Sequence, residues 1–236
     1  MQLSKIKIYD DYNNFLRDLD KKINEQSSLI NVGFINQHCY NLISDSPSYK
    51  KIIEKIDILL RDGVGIKIAL ILNKILPGIN MNGTDLIPAI IKYLDKKESI
   101  FIFIGSEKPW VDLAAKKMVK QGQFIALDGF QSDEYYINFI DENFTSHELI
   151  YFIIGMGMPR QEILSCKIKN HLPNKKGCII NGGGIFDFVS ERKKRAPTLI
   201  RILGFEWLYR LLLEPKRMFH RYIIGIPKFL IRILIK

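Results

Sequence analysis

Asp62 stands just after the apolar run "IDILL" (56–60), in "RDGVG", and is followed by Gly63 and Gly65. A carboxylate placed there, with glycines that let backbone approach a ligand, suits a general base or a hydrogen bond to a sugar hydroxyl. The plainer alternative is an Asp-Gly turn, common in any α/β chain. "GMGMPRQE" (155–162) follows another apolar run and precedes a helical pattern, where a dinucleotide fingerprint would sit. Arg160 occupies the place of the third glycine, which argues against a dehydrogenase. What remains is a turn with Gly155 and Gly157, then Arg160 and Gln161 in a first helical turn. That set suits a phosphate or diphosphate, or else a tight turn with solvated ends.

"NGTDLIP" (82–88), with Gly83, Thr84 and Asp85, and "NGGGIFDF" (181–188), with Gly183, Gly184 and Asp187, pose the same choice between turn and ligand approach. Three consecutive glycines exceed the needs of one turn and favour a close ligand. Asn36 in "NQH" and Gly105 in "GSEKPW" also directly follow or end apolar runs. Metal chemistry finds no support. Asp18 and Asp20 lie two apart in a helical pattern and do not converge, and His38, His147, His171 and His220 are isolated. Cys39, Cys166 and Cys178 form no metal or disulfide pattern and read as reduced thiols of a cytoplasmic protein. No Walker loop or Gly-x-Ser-x-Gly occurs. The expected site uses one acid, amides and arginines, with no cofactor and no metal.

Alternating elements must position these groups. The runs 29–36, 56–60, 99–105, 123–129, 148–155 and 177–182 are short and rich in Ile, Phe and Val, and read as buried strands. Helical patterns cover 11–25, 84–97 with Thr84 as N-cap, 109–121, 133–143 and 159–171; Pro109 and Pro159 fall at first helical positions. Such alternation predicts an α/β fold, a Rossmann-like parallel sheet with helices on both faces and ligands beyond the strands' carboxyl ends.

The charge is unevenly placed. The chain of 236 residues carries 35 Lys and Arg against 25 Asp and Glu, a formal net charge of +10. Residues 1–191 are balanced, so the segment from 192 onward carries the whole excess. We therefore expect a catalytic domain over 1–190 and a basic, amphipathic helical appendage over 191–236. The N-terminus has no apolar h-region of a signal peptide, and no uncharged stretch reaches the roughly 18 apolar residues of a membrane span. The appendage mixes arginines with Trp207, Phe219, Tyr222 and many Ile and Leu residues, a pattern for an anionic membrane surface. Nucleic acid is the rival partner, although runs such as "FLIRILI" fit lipid better than bases.

The segments "RDGVG", "NGTDLIP", "GMGMPRQE", "GGGIFDFVSERKKRAP" and "GFEWLYRLLLEPKRMFHRY" stand in the order found in the WecG/TagA/CpsF glycosyltransferases, family 26, and residues from about 30 to 226 resemble that family. The resemblance implies an inverting, metal-independent transfer from a UDP-sugar donor to an undecaprenyl-diphosphate-linked saccharide, at the cytoplasmic face of the bacterial membrane. It places the catalytic base on Asp62, the family's glutamine on Gln161 and the appendage arginines on Arg210, Arg217 and Arg221. Arg195, in the basic run 192–195, joins them as an expected substrate contact. His220 falls at a position often basic in the family. Two positions depart from the pattern: Phe34 replaces a threonine and Asn80 an arginine, and both bear on the donor sugar or its phosphate. "INMNGTDLIP" looks more like the capsule and exopolysaccharide members than the teichoic-acid ones. A non-catalytic nucleotide-sugar-binding partner of a polysaccharide complex is the other alternative, and homo-oligomerisation is left open.

Overall fold

The computed structural model describes residues 3–144 and 149–235; His147, residue 148 of the expected sixth strand, and Lys236 lie outside them. Among the described residues, seven parallel strands form one sheet in the order β1-β3-β2-β7-β6-β4-β5. They are β1 (Ile6–Lys7), β2 (Ile30–Ile35), β3 (Ile58–Arg61), β4 (Ile100–Gly105), β5 (Gln123–Leu127), β6 (Leu149–Gly155) and β7 (Lys176–Asn181). β2 and β4 are buried at every position, as helices on both faces require. The edge strand β1 was not expected, since two residues show no periodicity. Side chains alternate between two cores: Ile30, Val32, Phe34, Phe101 and Phe103 face one, while Ile35, Ile100, Ile102 and Ile104 face the other side.

The first face is covered by α1 (Tyr12–Glu25), α5 (Gly83–Leu94), α6 (Trp110–Met118) and α9 (Ile185–Val189). The second is covered by α2 (Gln37–Asp45), α3 (Pro47–Ile53), α4 (Val64–Leu72), α7 (Asp133–Asn143) and α8 (Arg160–His171). α2, α3 and α4 were not expected from the apolar spacing. α2 begins because Asn36 caps it, its Oδ1 accepting from the N–H groups of His38 and Cys39 at 3.1 Å each. One expected cap is corrected: Asn82, not Thr84, caps α5, its Oδ1 accepting from the Thr84 N–H at 2.8 Å. Pro109 and Pro159 are N-cap residues, one position earlier than expected.

The appendage runs through α10 (Thr198–Ile202), α11 (Glu206–Leu213), α12 (Pro215–Phe219), a π-helical turn (His220–Ile224) and α13 (Gly225–Leu234). A single helix carrying Arg210, Arg217 and Arg221 does not form, because Pro215 ends one helix and opens the next. α13 seats on α2: Phe229 and Ile233 are buried in the second-face core, and Phe229 meets Tyr40 edge to face at 5.3 Å. Lys228 pairs with Asp45 at 2.8 Å, and Arg232 bonds Asp45 and the Asn41 carbonyl. Its opposite side leaves Ile231, Leu234 and Ile235 exposed. Among the described residues no helix is long and apolar enough to cross a membrane.

Candidate active site

A cavity of about 580 Å³ opens beyond the carboxyl ends of β3, β2, β7 and β6, the middle of the sheet, and the appendage closes it from above. The segments that follow the strands supply Asn36, Asp62, Gly63 and Gly65, then Gly157, Gln161, Gly183 and Gly184; the start of α5 adds Gly83 and Thr84. The appendage supplies Arg210, Arg217 and Arg221. Residues from six distant segments therefore face one space, and it falls within the size range of small-molecule sites.

Asp62 is held by its backbone, whose N–H donates to the Ile35 carbonyl at 2.8 Å. Gly63 follows with φ +86°, a conformation that favours glycine, and its N–H donates to Asn80 Oδ1 at 2.8 Å. Buried Arg61 braces the loop opposite, bonding the carbonyls of Pro77, Gly78 and Gly63 at 3.0–3.2 Å. Burial raises the Asp62 pKa above the ordinary carboxylate range, and Glu206 adds to this. Arg210, Arg221 and a hydrogen bond from Asn36 pull the other way without cancelling it. The result is a carboxylate with raised proton affinity, as a general base needs.

The facing wall is cationic. Arg210 pairs with Glu206 at 2.7 Å and lies 4.7 Å over the Phe188 ring. Burial lowers its proton affinity, but Glu206, Tyr222 and Asp62 outweigh this and keep it charged. Arg217 pairs with Glu214 at 2.9 Å, and the Arg221 guanidinium sits 5.7 Å from the Tyr222 ring. The Nε atoms of Arg201, Arg210 and Arg221 are buried without a partner. Burial, and then the charge of Arg221, push His38 down to about 4, so its imidazole is neutral near pH 7.

The two glycine turns are braced from within. The N–H groups of Gly157 and Gly183 both donate to Gln161 Oε1, at 3.1 and 2.9 Å, so neither is left free for a phosphate. Gln161 Nε2 donates to Glu162 Oε1 at 2.7 Å, and the Tyr49 hydroxyl donates to Glu162 Oε2 at 3.1 Å. All three side chains are buried, and burial pushes Glu162 up to about 7. This chain of bonds fixes which face of the Gln161 amide meets the glycines.

Other expected contacts lie outside the cavity lining. Arg160 turns away and bonds the carbonyls of Gly129, at 2.9 Å, and Gln131. Gly105 and Gly155 are packing positions: a Cβ on Gly105 would lie 2.4 Å from the Gly155 carbonyl oxygen, and one on Gly155 would lie 2.6 Å from the Phe186 ring. Asp85 receives both Arg195 nitrogens at 2.6 Å and Arg201 at 3.4 Å. Asp187 pairs with Lys193 at 3.1 Å and accepts from Ser106 Oγ at 3.1 Å. These pairs fasten residues 192–201 to the body, which positions the arginine wall. Sequence reading passed over Asn181, Glu206 and Trp207 as site residues. The Oδ1 of buried Asn181 has no partner in this cavity's wall, and the signal for it is its place at the end of β7, directly before three glycines.

The family model for glycosyl transferases of the WecG/TagA/CpsF family matches residues 1–236. The chain belongs to this family. Relatives within reach include an N-acetylglucosaminyldiphosphoundecaprenol N-acetyl-beta-D-mannosaminyltransferase of Bacillus spizizenii, 27% identical over 194 residues, covering 80% of this chain and 72% of the relative. Proteins of the same description from Bacillus subtilis, 25% identical over 92% of this chain and 81% of the relative, and Staphylococcus aureus, 24% over 82% and 76%, are also similar. In this WecG/TagA/CpsF member, Asp62 and Gln161 line one cavity with the appendage residues Arg210, Arg217 and Arg221.

Proposed function

We propose that this glycosyltransferase moves an N-acetylhexosaminyl group from a UDP-sugar to an undecaprenyl-diphosphate-linked saccharide in cell-envelope polysaccharide synthesis, inverting the anomeric centre and using no metal. The observation that carries this is one carboxylate of raised proton affinity facing arginines with unpartnered buried nitrogens in one cavity. Asp62 takes the proton of the acceptor hydroxyl as its oxygen bonds the anomeric carbon, and the bond to the diphosphate breaks on the opposite side with its electron pair. Arg210, Arg217 and Arg221 meet the charge that develops on the leaving UDP. In this reading Arg210, Arg217 and Arg221 supply the positive charge at the diphosphate, so that no metal ion is required.

The relatives' names favour an N-acetylmannosaminyl donor and an N-acetylglucosaminyl-diphosphate lipid acceptor. Phe34 and Asn80, the two departures from the family pattern, both line the cavity and make the donor sugar the open variable. The exposed Ile and Leu residues of the appendage, interspersed with Lys and Arg, rest on the anionic cytoplasmic face of the membrane where that acceptor resides. The test is UDP release from a panel of UDP-N-acetylhexosamines with a short-chain lipid-diphosphate-N-acetylglucosamine acceptor, in excess EDTA. Turnover with one donor and a product of inverted configuration is expected. No turnover with any donor, or recovery only on adding Mg²⁺ or Mn²⁺, contradicts the proposal.

A further inference from the structure

Helix α4 is apolar on two sides. Ile66, Ala69 and Leu70 enter the core, while Val64, Ile68, Ile71 and Leu72 remain 46, 40, 53 and 50% exposed, and Leu76 just beyond is 86% exposed. Positions i, i+4, i+7 and i+8 form one stripe along a helix. A helix apolar all round is normally buried, so a partner for this stripe is expected. Two observations say which. Lys67 and Lys74 are exposed beside the stripe, and no Asp or Glu occurs between Asp62 and Asp85. In addition, the stripe begins at the cavity: Val64 and Ile68 line it together with Ile226 and Leu230 of the appendage, and Gly204 approaches Val64.

We propose that the α4 stripe rests in the surface of an anionic bilayer, so that the catalytic body itself touches lipid and the cavity mouth opens at that surface. Apolar side chains enter the acyl boundary while Lys67 and Lys74 meet anionic headgroups. A second copy fits worse, because a two-fold contact through this face would oppose lysines with lysines and offer no acid to either. The inference rests on the lipid-linked acceptor proposed above, and it adds a contact that does not depend on the appendage.

The experiment uses the full chain and two double variants, Ile71→Ser/Leu72→Ser and Lys67→Glu/Lys74→Glu, none of whose positions lines the cavity. Binding is read by co-sedimentation with phosphatidylglycerol-containing and pure phosphatidylcholine vesicles, alongside melting temperature, mass in solution and turnover of a water-soluble short-chain acceptor. Each variant is expected to bind phosphatidylglycerol vesicles about tenfold or more weakly, from lost apolar burial or reversed charge. Melting temperature and soluble-acceptor turnover should stay unchanged. Vesicle binding equal to wild type in both variants overturns the assignment, as does loss of a wild-type dimer in the serine variant with vesicle binding retained. A wild-type enzyme inactive on the soluble acceptor under all donors is the separate failure of the activity, whatever the vesicles show.

Discussion

Asp62→Asn isolates the base from the rest of the site. The amide keeps the side chain's shape and still accepts the Asn36 hydrogen bond, and Arg210 retains Glu206 at 2.7 Å. UDP affinity should therefore stay within a fewfold of wild type. Turnover loses the proton acceptor, which costs about 100- to 10,000-fold, or about 2.7–5.5 kcal/mol at about 1.36 kcal/mol per decade. Stability moves the other way. The folded-state pKa of Asp62 is raised above 3.8, so its contribution is fully present below the unfolded value and is lost as pH rises through the folded one. Replacing it by a neutral amide removes that loss, and the variant should melt no lower than wild type at neutral pH. In wild type, kcat/KM should rise with pH through the raised Asp62 pKa, an acid limb that the variant lacks. UDP release, calorimetric UDP binding and melting at pH 4 and 7.5 read all three effects. Turnover within threefold of wild type, or a melting temperature well below it at neutral pH, would refute the reasoning: the first denies the base, the second makes the charge structural.

Glu162 gives a second prediction, because it sets the orientation of Gln161. Glu162→Met removes the acceptor and should lower kcat at least about tenfold, the cost of misplacing a ligand-facing turn by a fraction of an ångström, whereas Glu162→Gln keeps an acceptor for Gln161 and should retain most activity. Equal losses in the two, tracking the folded fraction, would reduce Glu162 to packing. Phe229→Ala empties a fully buried site between α13 and α2; it should destabilise by about 3–5 kcal/mol in urea unfolding, and a cost below about 1 kcal/mol would mean that α13 is only loosely docked.

Much of the site was legible because strand ends announce themselves. Runs of Ile, Phe and Val bounded by Gly, Asn or Asp fix where each strand stops, and in a parallel sheet those stops share one edge. Asp62, Asn36 and the glycines after β6 and β7 were thereby placed at a common crevice before any contact was known. The helices α2 to α4 escaped because their apolar residues serve two sides or lie close to a cap, which blurs the 3.6-residue period. α4, apolar almost throughout, shows this most clearly.

Direction was beyond the sequence. Arg160 and Gln161 are neighbours at the start of α8, yet about 100° of helical rotation sends the arginine to the Gly129 carbonyl and the glutamine to the glycine turns. Likewise Asp85 and Asp187 look like ligand groups in their motifs, but Asp85 is taken by arginines more than 100 residues away and Asp187 by Lys193, six residues on. The sequence by itself determined the strand order of chemistry: an acid, two glycine turns, and a basic apolar tail. Only the tertiary structure decided that the tail folds back over the crevice, because that depends on Phe229 finding Tyr40, on Arg195 finding Asp85, and on which side of each helix the core already occupied.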